Sequence, residues 1–337
     1  MLESVSLDQQ PCDIQVRVCQ GRGEALPWEG SATPVDGSAY SWIHLRRGHP
    51  QARELLAGAG LDHLAQDALL AVETRPRWLR MGTGLLVVLR GVNLNPGAEP
   101  EDMVSLRLWL QPGRVITLQS RPLLAVGDLL DLLAEGRGPE TPGAFLVTTT
   151  RLILDRLAPV MDELGDEGDG LEEEVLNRPK SDLRHRVGQH RRQCIQLRRH
   201  LAPMREVITA LSLEMGTQLS EDERSHLHES SDRLIRVVED LDALRERAVV
   251  THDELTAHLS DQINTTMFRL SLVAAVFLPL SLLTSLLGIN VNGIPGATSR
   301  QAFLVVCLIL LAVGGLEGWF LYRRYWLRSR AGSSDVS

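Results

Sequence analysis

Hydrophobic patterning divides the chain into three stretches. Residues 270–288 (LSLVAAVFLPLSLLTSLLG) contain no charged side chain, and residues 302–322 (AFLVVCLILLAVGGLEGWFLY) contain one, Glu317. A helix needs about 20 apolar residues to cross a hydrocarbon core about 30 Å thick. Both runs are therefore predicted to span a membrane; a buried hairpin in a soluble core is the alternative. Upstream, Leu227, Leu234, Leu241, Ala248, Leu255 and Gln262 recur at every seventh position, with Val238, Leu244 and Leu259 near the alternate seam. That period marks a helix packed along one stripe. Neither Gly nor Pro interrupts residues 217–278, and Ser220 and Glu223 have the spacing of a capping box. One helix is predicted to start there and run into the first span, a rod of roughly 100 Å at 1.5 Å per residue. Pro279 is expected to remove one of its backbone hydrogen bonds and bend it.

The N-terminal stretch is patterned differently. Residues 12–20, 39–45, 84–94 and 104–119 read as strands, the last with a Gln-Pro-Gly-Arg turn at 111–114 that predicts a hairpin. Residues 50–61 and 122–136 read as helices, and residues 148–176 and 181–211 as long ones. The predicted fold class is an α+β cytoplasmic domain followed by long stalk helices and two C-terminal transmembrane helices. The predicted divisions are 1–145 (α+β domain), 146–266 (helical stalk), 267–288 (first span), 289–301 (loop), 302–322 (second span) and 323–337 (basic tail).

Composition narrows the function classes. The formal net charge is -8, and no basic stripe is evident in the N-terminal two-thirds, so nucleic acid is not an expected partner. Cys12, Cys19, Cys194 and Cys307 lack Cys-x-x-Cys spacing, so neither a disulfide framework nor a thiolate zinc site is expected. Residues 1–16 contain no apolar signal-peptide core. With no P-loop, no Gly-x-Ser-x-Gly and no His-Glu-x-x-His, the chain is not expected to be an enzyme or to carry a cofactor. Arg323, Arg324, Arg328 and Arg330 follow the second span, whereas only Arg300 lies between the spans. The positive-inside rule then places both termini in the cytoplasm, with Trp319, Tyr322, Tyr325 and Trp326 as an interfacial belt. Glu317, costly inside a membrane, is expected to pair with Arg323 or Arg324, with a proton-coupling role as the alternative.

A cytoplasmic α+β domain, a long helix entering the first of two terminal spans, and Gly288-Ile289-Asn290 closing that span resemble the CorA family of divalent-cation transporters, whose usual tripeptide is Gly-Met-Asn. The following Val-Asn-Gly-Ile-Pro-Gly-Ala (291–297) and the earlier Glu-Thr-Arg-Pro-Arg (73–77) resemble the zinc-associated ZntB branch. The resemblance covers essentially the whole chain. It implies a funnel-shaped homopentamer in the bacterial inner membrane, with five first spans around a central pore and Asn290 forming a ring at the outer entrance. A single pair of spans cannot enclose a pore, so a conduit requires other copies of the chain. Gly314-x-x-x-Gly318 offers close packing for the outer span, between copies or within one.

Read back from Asn290 at helical spacing, one stripe holds Ser285, Ser281, Leu278, Ala274, Leu270 (or Ser271), Met267 and Asn264. Asn264 and Met267 resemble the family's inner constriction. No Cys, His, Asp or Glu lies in the first span, and dehydrated zinc takes thiolate or imidazole ligands. The ion is therefore expected to enter hydrated, held through its waters by neutral oxygen dipoles. Ser281 and Ser285 have a second use, bonding back to their own helix. Acids crowd residues 162–174, namely Asp162, Glu163, Asp166, Glu167, Asp169, Glu172, Glu173 and Glu174. They either concentrate cations or form a solvated acidic loop between two helices. Metal-ligand candidates are Asp166, Asp169, Glu172, Glu173, His252 and His258; His226 and His228 fall on different helix faces. The expected cargo is Zn²⁺, taken up with or without proton coupling, with Mg²⁺, Co²⁺, Ni²⁺ and Cd²⁺ as other divalent candidates. A CorA-like Mg²⁺/Co²⁺ channel gated by intracellular ions and a membrane-anchored sensor without flux are the rival readings.

Overall fold

The computed structural model describes residues 14–26, 39–72, 75–177, 182–214, 219–288 and 301–331. The chain divides into two compact units, Met1–Leu255 and Thr256–Ser337.

In the first unit, strands β1 (Ile14–Cys19), β2 (Arg22–Leu26), β3 (Ala39–Arg46), β4 (Arg77–Met81), β5 (Gly84–Gly91), β6 (Val104–Gln111) and β7 (Arg114–Gln119) share one sheet. Their order is β2-β1-β3-β7-β6-β5-β4. The expected hairpin joins β6 to β7, with Gln111 opposite Arg114. Gly113 takes a φ of 72° in its turn, a conformation that costs glycine little. All neighbours are antiparallel except β3 and β7, which run parallel with Arg46 beside Gln119.

The central strands are apolar on both faces because both faces are covered. Side chains alternate between them. Leu85, Val87, Leu89, Leu106, Leu108, Leu110 and Val115 enter one core. Leu86, Trp109, Ile116 and Leu118 enter the other, closed by α1 (Ala52–Gly58) and α2 (His63–Leu70). Asp62 caps α2, its Oδ1 accepting from the Ala65 amide at 2.7 Å. The larger core is covered by α3 (Leu124–Ala134), α4 (Pro142–Asn177), α5 (Leu183–Leu213) and the early part of α6 (Glu221–Gly288).

One buried polar relay stitches β3 to β7. The Trp42 indole Nε1 donates to Thr117 Oγ1 at 2.8 Å, and Thr117 Oγ1 lies 2.7 Å from His44 Nδ1. An indole can only donate, so the Thr117 hydroxyl accepts from Trp42. Burial favours the neutral imidazole, pushing His44 down to about 4.

The heptad reading of α6 holds through the first unit: Leu227, Leu234, Leu241, Val238, Ala248 and Leu255 are all buried. The capping box is formed, with the Ser220 amide donating to Glu223 Oε2 at 2.8 Å and the Glu223 amide to Ser220 Oγ at 3.2 Å. Glu223 also accepts from the Thr141 hydroxyl, and Thr141 Oγ1 in turn caps α4 through the Ala144 amide at 2.9 Å. One carboxylate thus sits at two helix N-termini, where the macrodipole favours negative charge. Gly143 makes the approach feasible, because a Cβ there would lie 2.2 Å from Glu223 Oε2.

Candidate ion pathway

The second unit holds the end of α6 and α7 (Ala302–Ala331), and each helix has a stretch long and apolar enough to cross a membrane by length and composition. Arg269 stands between Phe268 and Leu270, so the uncharged stretch begins at Leu270. Helix α7 continues past residue 322 through the arginine-rich segment to Ala331.

The two helices cover each other along one seam. On α6 the partly covered residues are Leu272, Val276, Pro279, Leu280 and Leu283. On α7 they are Val306, Cys307, Leu310, Val313, Gly314 and Glu317. Gly314 lies at the contact: a Cβ built there would lie 3.5 Å from Leu280 Cδ1. Gly318 has open space at its Cβ position. Of the two glycines in the Gly-x-x-x-Gly motif, Gly314 serves packing inside the chain.

The predicted stripe lies on the other side of α6. Asn264, Met267, Leu270, Ala274, Leu278, Ser281 and Ser285 are all exposed in the single chain. At about 100° per residue, the stripe is centred about 180° from the α7-facing seam. Met267, Leu270 and Leu278 are 59%, 66% and 70% exposed, and Val273, Phe277 and Leu282 beside the stripe are 52%, 64% and 65% exposed. The back-bonding hydroxyl of the stretch is that of Thr284, which donates to the Leu280 carbonyl at 2.9 Å. Among the described residues neither Ser281 nor Ser285 bonds back to its own helix, and both residues are exposed. Gly288 closes α6; Ile289, Asn290 and the loop through residue 300 lie outside the described residues.

Of the two partners expected for Glu317, Arg323 does not pair with it. Its Oε2 is enclosed and has no hydrogen-bond partner among the described residues. The Arg323 guanidinium instead lies over the Trp319 ring, 5.4 Å from its centroid, a favourable cation–π arrangement. The Arg324 side chain lies outside the described residues. The α7 seam that encloses Glu317 was not foreseen from sequence, although Val306, Leu310 and Val313 carry a helical spacing that marks it.

In the first unit the acidic run is helical, part of α4 rather than a loop between helices, and some of it is already engaged. Arg247 Nη2 of α6 donates to Asp169 Oδ1 and to Glu172 Oε2, each at 2.6 Å. These bonds, Glu172's first, raise the Arg247 pKa. Asp166 lines a cavity with Asp162, Asp169 and Asp240 between α4 and α6. Glu174 pairs with Arg186 at 2.8 Å. Glu173 points to solvent, and His252 lies 3.6 Å from Asp253. His258 is exposed on α6 in the second unit. No group of three His, Cys, Asp or Glu side chains arranged to hold a metal occurs among the described residues.

Comparison with known proteins agrees with this architecture. The model of the CorA-like Mg²⁺ transporter protein family matches residues 37–323. The chain is 41% identical over 289 residues to the divalent cation transporter CmaX of Pseudomonas aeruginosa, covering 85% of this chain and 87% of that one. It is 35% identical over 308 residues to the zinc transport protein ZntB of Pectobacterium carotovorum, covering 91% and 94%. Its fold matches the structure of the full-length CmaX protein with a TM-score of 0.80 at 37% identity, over 93% of this chain and 97% of that one. The chain belongs to the CorA-like Mg²⁺ transporter family.

Proposed function

We propose that this chain transports divalent cations across a bacterial inner membrane, as a homopentamer whose α6 helices surround the pathway, with Zn²⁺ as the principal cargo. The observation that carries the reading is the exposed stripe on α6 opposite its own α7. One pair of spans cannot enclose a conduit, and the stripe from Asn264 to Ser285 is the face left for neighbouring copies. It offers amide, hydroxyl and apolar groups and no thiolate, imidazole or carboxylate. Such a lining suits a hydrated cation passing on its waters, with Asn290 at the outer entrance. Both termini are cytoplasmic in this reading, by the arginine excess after α7. The chain acts as a transporter rather than an enzyme.

Zinc as cargo is supported by the ZntB relatives and by the Gly-Ile-Asn and Val-Asn-Gly-Ile-Pro-Gly-Ala sequences. The family description favours one second reading, a Mg²⁺-conducting channel. Uptake of Zn²⁺ into liposomes carrying the purified protein, with and without excess Mg²⁺ and at matched and unmatched pH, separates the two. Zinc flux that survives Mg²⁺ and grows with a proton gradient directed as the zinc is expected here. Flux abolished by Mg²⁺ and indifferent to pH would make the protein a magnesium channel. No flux of any divalent ion would sink the transport reading.

A further inference from the structure

A cation-rich cavity lies in the first unit. It has a volume of ≈ 650 Å³, within the range of small-molecule sites. Its position follows from the topology. Arg47 comes directly after β3, and Arg121 follows β7, the parallel neighbour of β3. Arg90 is near the end of β5, and Ser105 is near the start of β6, which pairs with that end. All therefore gather at one end of the sheet, the carboxyl end of the parallel pair, and α5 adds Arg199 and His200. Crevices at the carboxyl ends of parallel strands are the usual ligand positions in open α/β sheets.

The charge there runs against the protein's balance of -8. Four arginines line the cavity against two carboxylates, Glu101 and Asp102. Two of the arginines are fixed in place: Arg47 Nε donates to Ser120 Oγ at 2.9 Å, and Arg90 Nη1 to the Met103 carbonyl at 2.8 Å. Behind them Arg107 is buried and donates to the Ala71 carbonyl at 2.8 Å. The mutual repulsion is felt. Burial first, then Arg90, Arg199 and Arg75, pushes His200 down to about 4. Burial first, then Arg47, Arg90 and Arg77, pushes Arg107 down to about 10. No ion pair among the described residues engages Arg47, Arg121 or Arg199. A cavity that gathers guanidinium groups at a cost in repulsion is built for an anion. Planar guanidinium forks match phosphate oxygens in pairs, and four of them exceed what one phosphate needs.

We propose that this cavity is a binding site for a polyphosphate anion, a diphosphate or nucleoside triphosphate, held by Arg47, Arg90, Arg121 and Arg199. The site shares no residue with the proposed cation pathway, and its existence does not depend on which ion the protein moves. The test is calorimetric titration of the full chain in lipid nanodiscs, in buffer with EDTA so that no bound cation bridges the ligand. Pyrophosphate and ATP are the titrants, with sulfate as a control for a single tetrahedral oxyanion. Pyrophosphate binding at least about ten-fold tighter than sulfate is expected, as for paired charge-assisted hydrogen bonds. Arg121→Glu and Arg199→Glu, both at exposed positions, should each weaken it by about ten-fold or more. Arg245→Glu, an arginine of α6 that pairs with Glu246 at 3.7 Å, should leave it unchanged. ATP tighter than pyrophosphate would identify a nucleotide; equal affinities would identify the diphosphate group as the whole determinant. No pyrophosphate binding, binding no tighter than sulfate, or an equal loss in Arg245→Glu would overturn the proposal.

Discussion

Replacing Arg247 by Gln tests whether the acids of α4 are withheld from cations by their own arginine. Arg247 holds Asp169 and Glu172 at 2.6 Å each. The three side chains are 48%, 65% and 41% exposed, so water screens the pairs and their loss should cost less than about 1 kcal/mol of stability. The electrostatic effect on a bound dication is larger. A guanidinium about 5 Å from a divalent ion opposes it by roughly 1–2 kcal/mol even at the dielectric constant of water. The variant removes that repulsion and frees two carboxylates beside Asp162, Asp166 and Asp240, which line the adjoining cavity of ≈ 510 Å³. Divalent-ion affinity measured by calorimetry on the purified protein should rise roughly ten-fold, with an unfolding midpoint almost unmoved. Affinity unchanged or lowered would show that these acids are not a latent cation site. A large loss of stability would show that the pairs hold α4 to α6 far more strongly than their exposure implies.

Three further outcomes follow from named contacts. Leu234→Ala, which truncates a fully buried seam residue, should cost about 2–5 kcal/mol, read from chemical unfolding; a change below 1 kcal/mol would mean that α6 is not packed along this seam. His44 is held neutral at about 4 when folded and titrates near 6.5 when unfolded, so the unfolded chain binds more protons in that window. Stability from this group is complete above about pH 6.5 and is lost as pH falls toward 4; a His44→Gln variant should show a flatter stability profile there, and an unchanged slope would remove His44 as its source. Glu317→Gln keeps the shape of the α7 seam and removes its carboxyl group, so it should abolish the dependence of zinc flux on a proton gradient while flux continues; dependence that persists would leave Glu317 a packing residue.

Much of this architecture was legible in the chain because it is written in local periods. The α6 seam, the capping box, the β6–β7 hairpin and the two apolar runs each depend on residues close in sequence. The edge strands were harder. β2 (RGEAL) and β4 (RWLRM) lack clean alternation, and two of the three exposed positions of β4, Arg77 and Arg80, carry arginines, as edges that avoid further pairing do. Helix α2 carried a legible signal, Asp62 three residues before Ala65, in a segment short enough to pass as loop. Non-local placement was not legible at all. Pairing β3 beside β7 brings Arg47 and Arg121 together from 74 positions apart, an arrangement no stripe in the sequence records. The stripe on α6 was readable by spacing, but its position opposite α7 depends on the Gly314–Leu280 contact. Asn290 lies outside the described residues and remains a candidate by resemblance alone.

The central claim is that the α6 face carrying Ser281 and Ser285 lines the cation pathway. Cysteine placed at Ser281 or at Val276, in a background without the native cysteines, tests it directly. A charged, water-borne thiol reagent is applied while zinc flux into liposomes is recorded. Modification of Ser281→Cys should block flux, and Val276→Cys, on the seam that faces α7, should be untouched. Block at Val276→Cys with free flow at modified Ser281→Cys would contradict the account.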